Sequence, residues 1–159
     1  MIFQVHGFDI EEIINDKASV QDGAQFLKDA LKGAKTHDLP EEALLRISEL
    51  TKSHYIYTIS KDGQAVGEVT FGENDAKPVI GIEIEEQFRN CGIGYKILKE
   101  LIARRSADGD IEYFVYTVRN DNIPSVRLVE KLGGIRAKTF KLFENNDLEI
   151  FTYHIPAHR

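Results

Sequence analysis

Apolar positions along the chain follow two periods. Residues 2–8, IFQVHGF, read as a first strand, and Asp9 then has the form of a helix N-cap ahead of IEEII. Over 22–34, Phe26, Leu27, Ala30, Leu31 and Ala34 make a helical stripe whose end is weakened by Gly33. LPEEALLRISELTKS (39–53) predicts another helix. Pro40 suits its first turn, Glu41 and Glu42 favour its dipole, and Leu44, Leu45, Ile47 and Leu50 cover its apolar side. The period then drops to two. HYIYTIS (54–60) and QAVGEVTF (64–71) flank Lys61-Asp62-Gly63, a hairpin signal. VIGIEIEE (79–86) sets Ile80, Ile82 and Ile84 on one face and Val79, Gly81, Glu83 and Glu85 on the other.

Helical spacing returns with Ile93, Ile97, Leu98, Leu101 and Ile102 and runs to about Arg104. IEYFVYTV (111–118) is β-prone. SVRLVEKL forms a short helix stopped by Gly133-Gly134, and two last strands, IRAKTFKLF and LEIFTYHI, flank ENND (144–147). Helices and strands alternate mid-chain, with hairpins on either side. That order predicts one domain of α/β or α+β class, a mixed sheet with helices on its faces. There is no internal repeat and no linker.

Composition narrows the function. The chain has 159 residues and a net charge of −6, which argues against a nucleic-acid partner and suits a cationic substrate. Glu11, Glu12, Glu41 and Glu42 could meet such a cation, although a solvated surface explains them as well. Cys91 is the single cysteine, so no intrachain disulfide is expected. The histidines (His6, His37, His54, His154, His158) lack ligand spacing, so no metal is expected. No signal peptide or membrane-length apolar run stands out, and the expectation is a cytoplasmic protein without a membrane partner.

The chemistry concentrates in FRNCGIGYKILKEL (88–101), where Arg89, Gly92 and Gly94 join a strand pattern to a helix pattern. Amides at a helix start lack intrahelical partners and attract anions, and glycine lets a phosphate come close. Arg89 could cap the turn or reach a phosphate, and Lys96 and Lys99 could meet a more peripheral one. A tight turn alone would also explain the glycines. A dinucleotide fingerprint would need a third glycine where Ile97 stands, and a P-loop would need GK[ST]. Cys91 could be a nucleophile at a helix start, but no histidine is near it in sequence.

R-N-C-G-I-G (89–94) matches the [Q/R]-x-x-G-x-[G/A] pattern of the GNAT acyltransferase superfamily, and VRNDNIPSVRLVEKLGG (118–134) resembles its fifth strand and fourth helix. The likeness covers roughly residues 54–155. It implies a GNAT-like fold: a central, mostly antiparallel sheet splayed between the family's fourth and fifth strands, with helices on both faces. It further implies acetyl-CoA as co-substrate. The diphosphate would lie on the amides of Asn90, Gly92, Ile93 and Gly94 beside Arg89. The pantetheine would pair with backbone at Ile82, Glu83 and Ile84 and be held by Asn122 and Ser125. The acetyl group would pass directly to an amine, either a small molecule or a peptide. Residues 1–53 would wall the acceptor cleft of a monomer or homodimer.

Departures from the pattern shape the catalytic expectations. The family's usual acidic tyrosine is Val129 here, its closing phenylalanine is Gly134, and a glutamate some members use as base is Thr117. Members of the RimJ type, acting on protein N-termini, often lack that tyrosine too. Glu83 is the candidate base, with Glu85 second; Tyr116 is the candidate acid, with Tyr153 the other choice by strand position. The alternative function is a non-catalytic acyl-CoA-binding regulatory module.

Overall fold

The computed structural model describes residues 1–14, 53–72, 76–107, 109–141, 144 and 147–157. Strands β1 (Ile2–Val5) and β2 (Phe8–Ile14) form a hairpin. The expected helix starting at Asp9 is therefore replaced by a strand. His6 and Gly7 take φ of 49° and 84° in a two-residue loop between paired Val5 and Phe8. Left-handed conformations at both central positions match the twist of a hairpin. Phe8 and Ile10 then turn inward at period two, and Gln4 Nε2 donates to Asp9 Oδ1 across the turn at 3.0 Å. Asp9 is thus a cross-strand acceptor rather than a helix cap. The helices expected over 22–34 and 39–53 lie outside the described residues, except that Ser53 opens the next strand.

β3 (Ser53–Lys61) and β4 (Gln64–Gly72) meet at Asp62-Gly63, with φ of 50° and 79°. β5 (Val79–Ile84) follows, then a short 3-10 turn (Glu86–Phe88) and helix α1 (Ile93–Ala107). β6 (Tyr113–Arg119), α2 (Ile123–Lys131), β7 (Ile135–Lys141) and β8 (Glu149–Pro156) complete the order. One sheet runs β1-β2-β3-β4-β5-β6-β8-β7. Every neighbouring pair is antiparallel except β5–β6, which is parallel.

The core lies on the sheet face that carries Tyr57, Val69, Phe71, Ile80, Phe114, Tyr116, Tyr153 and Ile155, all buried. Ile97, Leu98, Leu101 and Ile102 of α1 are wholly buried against it, as is Val129 of α2. Near the C-terminal end of α1 the Arg105 guanidinium lies 3.4 Å from the centre of the Tyr55 ring, and Arg104 stacks on Phe3. Cation–π contacts thus tie the far end of the helix to the N-terminal strands. The other end of α1 is left free to present the glycine loop.

Candidate functional site

The loop from β5 to α1 is built by its backbone. The Arg89 Nε donates to the carbonyl of Ile84 at 2.8 Å, so this side chain closes the turn back onto the strand it leaves. Asn90 and Gly92 both take left-handed φ, 62° and 75°. Asparagine tolerates that region and glycine occupies it without strain. The first helical bond is Lys96 N–H to Gly92 O at 3.2 Å. The amides of Ile93, Gly94 and Tyr95 therefore precede the helical ladder and face out of its start. A Cβ on Gly92 would meet nothing within 4 Å, whereas one on Gly94 would sit 3.7 Å from both Ile82 and Leu128. Gly92 faces open space; a Cβ at Gly94 would make only ordinary van der Waals contact with β5 and α2. The exposed Cys91 turns its Sγ to the Arg89 carbonyl at 3.3 Å.

Beside this loop the sheet parts. β5 and β6 share one registered pair, Val79 with Val115, while β4 pairs with β5 along its whole length. Val115 N–H also donates to Pro78 O at 2.9 Å, at the closed end. Gly81 to Ile84 thus have a ladder on the β4 side and no registered partner in β6. On the face away from the two described helices, cross-strand register lines up Glu11, Thr58, Glu68 and Glu83 in one row. Glu83 is exposed and Glu68 half-buried. Burial, with the Glu83 carboxylate opposite, raises the pKa of Glu68. Glu68 went unnoticed in the sequence because the long loop between β4 and β5 hides their register. Glu85 lies past the end of β5, where its N–H donates to Val66 O at 2.8 Å.

The β6–α2 corner supplies hydroxyls. Asn122 caps α2, its Oδ1 accepting from Ser125 N–H at 3.3 Å, with Pro124 in the first turn. The amide nitrogen of Asn122 is the part of its side chain left to reach a ligand. Tyr116, 3% exposed, places its hydroxyl 2.7 Å from Ser125 Oγ. Burial raises the Tyr116 pKa and the Ser125 contact works against that rise. Tyr153, on β8, reaches the later part of α2, donating to Glu130 Oε1 at 3.0 Å. It lines an open depression of about 520 Å³ with Glu130, Gly134 and Arg136, at the opposite end of α2 from Asn122 and Ser125. The structure therefore groups Arg89, Asn90 and Gly92 in one loop with Ile93 and Gly94 in the first turn of α1 that follows it, and Ile82 lies beside Gly94. It joins Tyr116 to Ser125 and leaves Tyr153 with another partner.

The model of the acetyltransferase (GNAT) family matches residues 24–134, more than half of the chain. The chain belongs to the GNAT acetyltransferase family. Solved structures agree on the fold. A GNAT-family acetyltransferase from Bacillus anthracis aligns with TM-score 0.63 and 16% identity over 100% of both chains. The ribosomal-protein-S5-alanine acetyltransferase of Vibrio fischeri aligns with TM-score 0.65 and 11% identity, covering 99% of this chain and 97% of its own. An acetyltransferase from Bacillus anthracis str. Ames in complex with acetyl coenzyme A aligns with TM-score 0.57 and 17% identity, over 65% of this chain and 62% of that one. No curated protein matches the chain.

The mixed sheet is thus a GNAT sheet. GNAT membership makes the chain an acetyltransferase. Among the described residues no group of three or more His, Cys, Asp or Glu is placed to hold a metal. No helix among them is long and apolar enough to cross a membrane.

Proposed function

We propose that this GNAT protein transfers an acetyl group from acetyl-CoA to a primary amine by direct attack in a ternary complex. The observation that carries this reading is the open loop at Gly92 standing beside the unpaired edge of β5. A diphosphate fits the amides of Ile93 and Gly94 at the helix start, with those of Asn90 and Gly92 in the same turn. A pantetheine arm fits the free backbone of Ile82, Glu83 and Ile84 as an added strand, with Asn122 and Ser125 at its other side. Arg89 acts by holding the loop, and Lys96 and Lys99 stand on α1 for a more peripheral phosphate.

An alkyl amine of pKa near 10.4 must lose a proton before attack, at about 4–5 kcal/mol at pH 7. Glu83, exposed beside the parted strands, is the base, acting directly or through a water. The row Glu11, Glu68 and Glu83 gives the approach a negative field suited to an ammonium group. The Tyr116–Ser125 pair stands on the leaving-group side. The fold shared with the S5-alanine acetyltransferase makes an alanine-initiated peptide a sensible first acceptor, with a lysine peptide and spermidine beside it.

A second reading, an acyl-CoA-binding regulatory module, is favoured by Val129, which is wholly buried at the family's tyrosine position. Both readings expect coenzyme binding; only the first expects thiol release from acetyl-CoA with an amine. Glu83→Gln separates them further. It should depress turnover far more than acetyl-CoA affinity and displace the acid limb of the pH–rate profile. A profile that does not move removes Glu83 from the reaction, and tight binding without transfer to any of the three amines leaves the module.

A further inference from the structure

The depression at the end of α2 belongs neither to the glycine loop nor to the acidic row, and its lining carries one charge of each sign. The geometry points to a second ligand site there, for a small zwitterion such as a free amino acid, with its carboxylate on Arg136 and its ammonium on Glu130. Glu130, Gly134, Arg136 and Tyr153 line about 520 Å³ of open space, a usual size for a small-molecule site.

The chain builds this lining with a helix stop and a bulge. Gly133 ends α2 with φ of 87°, and Gly134 N–H returns to Val129 O at 2.9 Å. The backbone therefore passes from the last turn of α2 directly into β7, and the depression lies in the crook between them. A Cβ on Gly134 would come within 2.7 Å of Val129 O and 2.8 Å of its Cγ2, so this wall is bare backbone. In β7, Arg136 pairs with Tyr153 while Lys138 pairs with Thr152, which leaves Ala137 as an extra residue. Such an insertion moves the side chains on one side of it to the other face. Arg136 consequently shares the helix-side face with Tyr153, and Lys138 goes to the opposite face with Thr152.

Tyr153 then fixes both charges. It is 2% exposed, and its hydroxyl donates to Glu130 Oε1 at 3.0 Å. The Arg136 guanidinium lies 3.8 Å from the centre of the Phe151 ring and 5.9 Å from that of Tyr153. A guanidinium stacked on a ring keeps its N–H edge for an acceptor. Among the described residues Arg136 has no ion-pair or hydrogen-bond partner, and Glu130 has none beyond Tyr153. Lys131, the next residue, lays its ammonium over Tyr95 of α1, 4.1 Å from the ring centre. An arginine and a glutamate free on a surface would close on each other. Here stacking holds the one and a phenol holds the other, with no ion pair between them.

A ligand bearing both charges satisfies both groups at once. A carboxylate matches the forked donor edge of Arg136. An ammonium meets the Glu130 oxygen that Tyr153 leaves unused. A simple anion would face the Glu130 carboxylate, and a simple cation would face Arg136, so a like charge disfavours each. Glu130 lies about 12 Å from Asn122 along the α2 axis, so the site is separate from the coenzyme corner. The inference is independent of the acetyl-transfer reading.

The test is an amide NMR titration of the full chain with glycine, β-alanine, γ-aminobutyrate and phenylalanine, which differ in charge spacing and bulk. Acetate and methylamine serve as single-charge probes. At least one amino acid should saturate, moving the Gly134 amide and the Arg136 Nε–H, while acetate and methylamine bind about 10-fold more weakly or worse. Arg136→Gln and Glu130→Gln change exposed positions and should melt like the parent. Each should weaken the best amino acid by about 10- to 100-fold, the range for one charge-assisted hydrogen bond. Tyr153→Phe should weaken it less, because both charges remain and only the anchor of Glu130 is lost. Saturating CoA, or Glu83→Gln, should leave the affinity within about twofold, since neither touches the depression.

The site is overturned if none of the amino acids saturates, if acetate or methylamine binds as tightly as the best of them, or if either glutamine variant in the depression binds like the parent. Displacement by CoA, or loss in Glu83→Gln, would put the ligand in the coenzyme or acceptor cleft and equally overturn it.

Discussion

Gly92→Glu should remove coenzyme affinity while leaving the fold intact, and a matched substitution elsewhere isolates the reason. Gly92 has φ of 75° and open space where a Cβ would go. Gly63, in the β3–β4 turn, has φ of 79° and is equally open. Glutamate at either site pays the same left-handed backbone penalty, about 1–2 kcal/mol, and adds the same charge. Only at Gly92 would the carboxylate stand against a bound diphosphate. At roughly 5 Å, with an effective dielectric of about 20–80, each pair of unit charges costs about 1–3 kcal/mol. That converts to about a 5- to 150-fold weaker Kd for each phosphate charge opposed. Titration calorimetry with CoA on both variants and on Gly92→Ala reads the difference, with thermal melts as the stability control. The two glutamate variants should melt alike. Gly92→Ala should bind CoA better than Gly92→Glu, and Gly63→Glu should bind like the parent. Equal CoA affinity in Gly92→Glu and Gly63→Glu would refute placement of the diphosphate on this loop.

Further outcomes concern the sheet and its corner. A Cβ on Gly67 would lie 2.3 Å from the Glu83 carbonyl, so Gly67→Ala must push β4 from β5. It should cost about 1–3 kcal/mol in urea unfolding. Glu68 has a raised pKa from burial and from Glu83, so its charged form is disfavoured in the folded state. Its contribution to stability is full below the unfolded carboxyl pKa and declines as pH rises through the folded one. Glu68→Gln should therefore stabilise the protein near pH 7 by about 0.5 kcal/mol, as expected for relieving a like-charge cross-strand pair. The gain should shrink with added salt and vanish below about pH 4. Asn122→Ala removes the α2 cap and should lower stability by about 1 kcal/mol in the same unfolding assay. A loss confined to activity would mean the cap bond carries no weight.

Local signals carried much of this molecule. The Asp-Gly turn, the alternation at Ile80, Ile82 and Ile84, and the stripe Ile97, Leu98, Leu101 and Ile102 each appear where their periods place them. The β1–β2 hairpin was misread because IEEII is short enough to satisfy either period, and because the His-Gly turn is a weaker signal than Asn-Gly or Asp-Gly. The glycine loop was legible through its spacing, and so were the two parts open to Arg89, capping the turn or reaching a phosphate; the choice between them was not. The bond from Arg89 to Ile84 depends on how far the 3-10 turn carries the chain back toward β5. Contacts set by register were hidden for a related reason. Glu68 meets Glu83 only once the register across the β4–β5 loop is set, and Tyr153 of β8 reaches Glu130 only once that strand is laid near α2.

The lone Val79–Val115 pairing has a mechanical consequence. The sheet behaves as two plates, β1 through β5 and β6–β8–β7, joined at one corner by that pairing and by the Glu112 N–H to Ala76 O bond beside it, and otherwise by the helices and core packed beneath. A molecule that lodges in the seam and bonds to the free rim of β5 becomes a keystone. On the acetyl-transfer reading, coenzyme bound there would brace the joint, and its departure would leave the two plates to the helices and core alone.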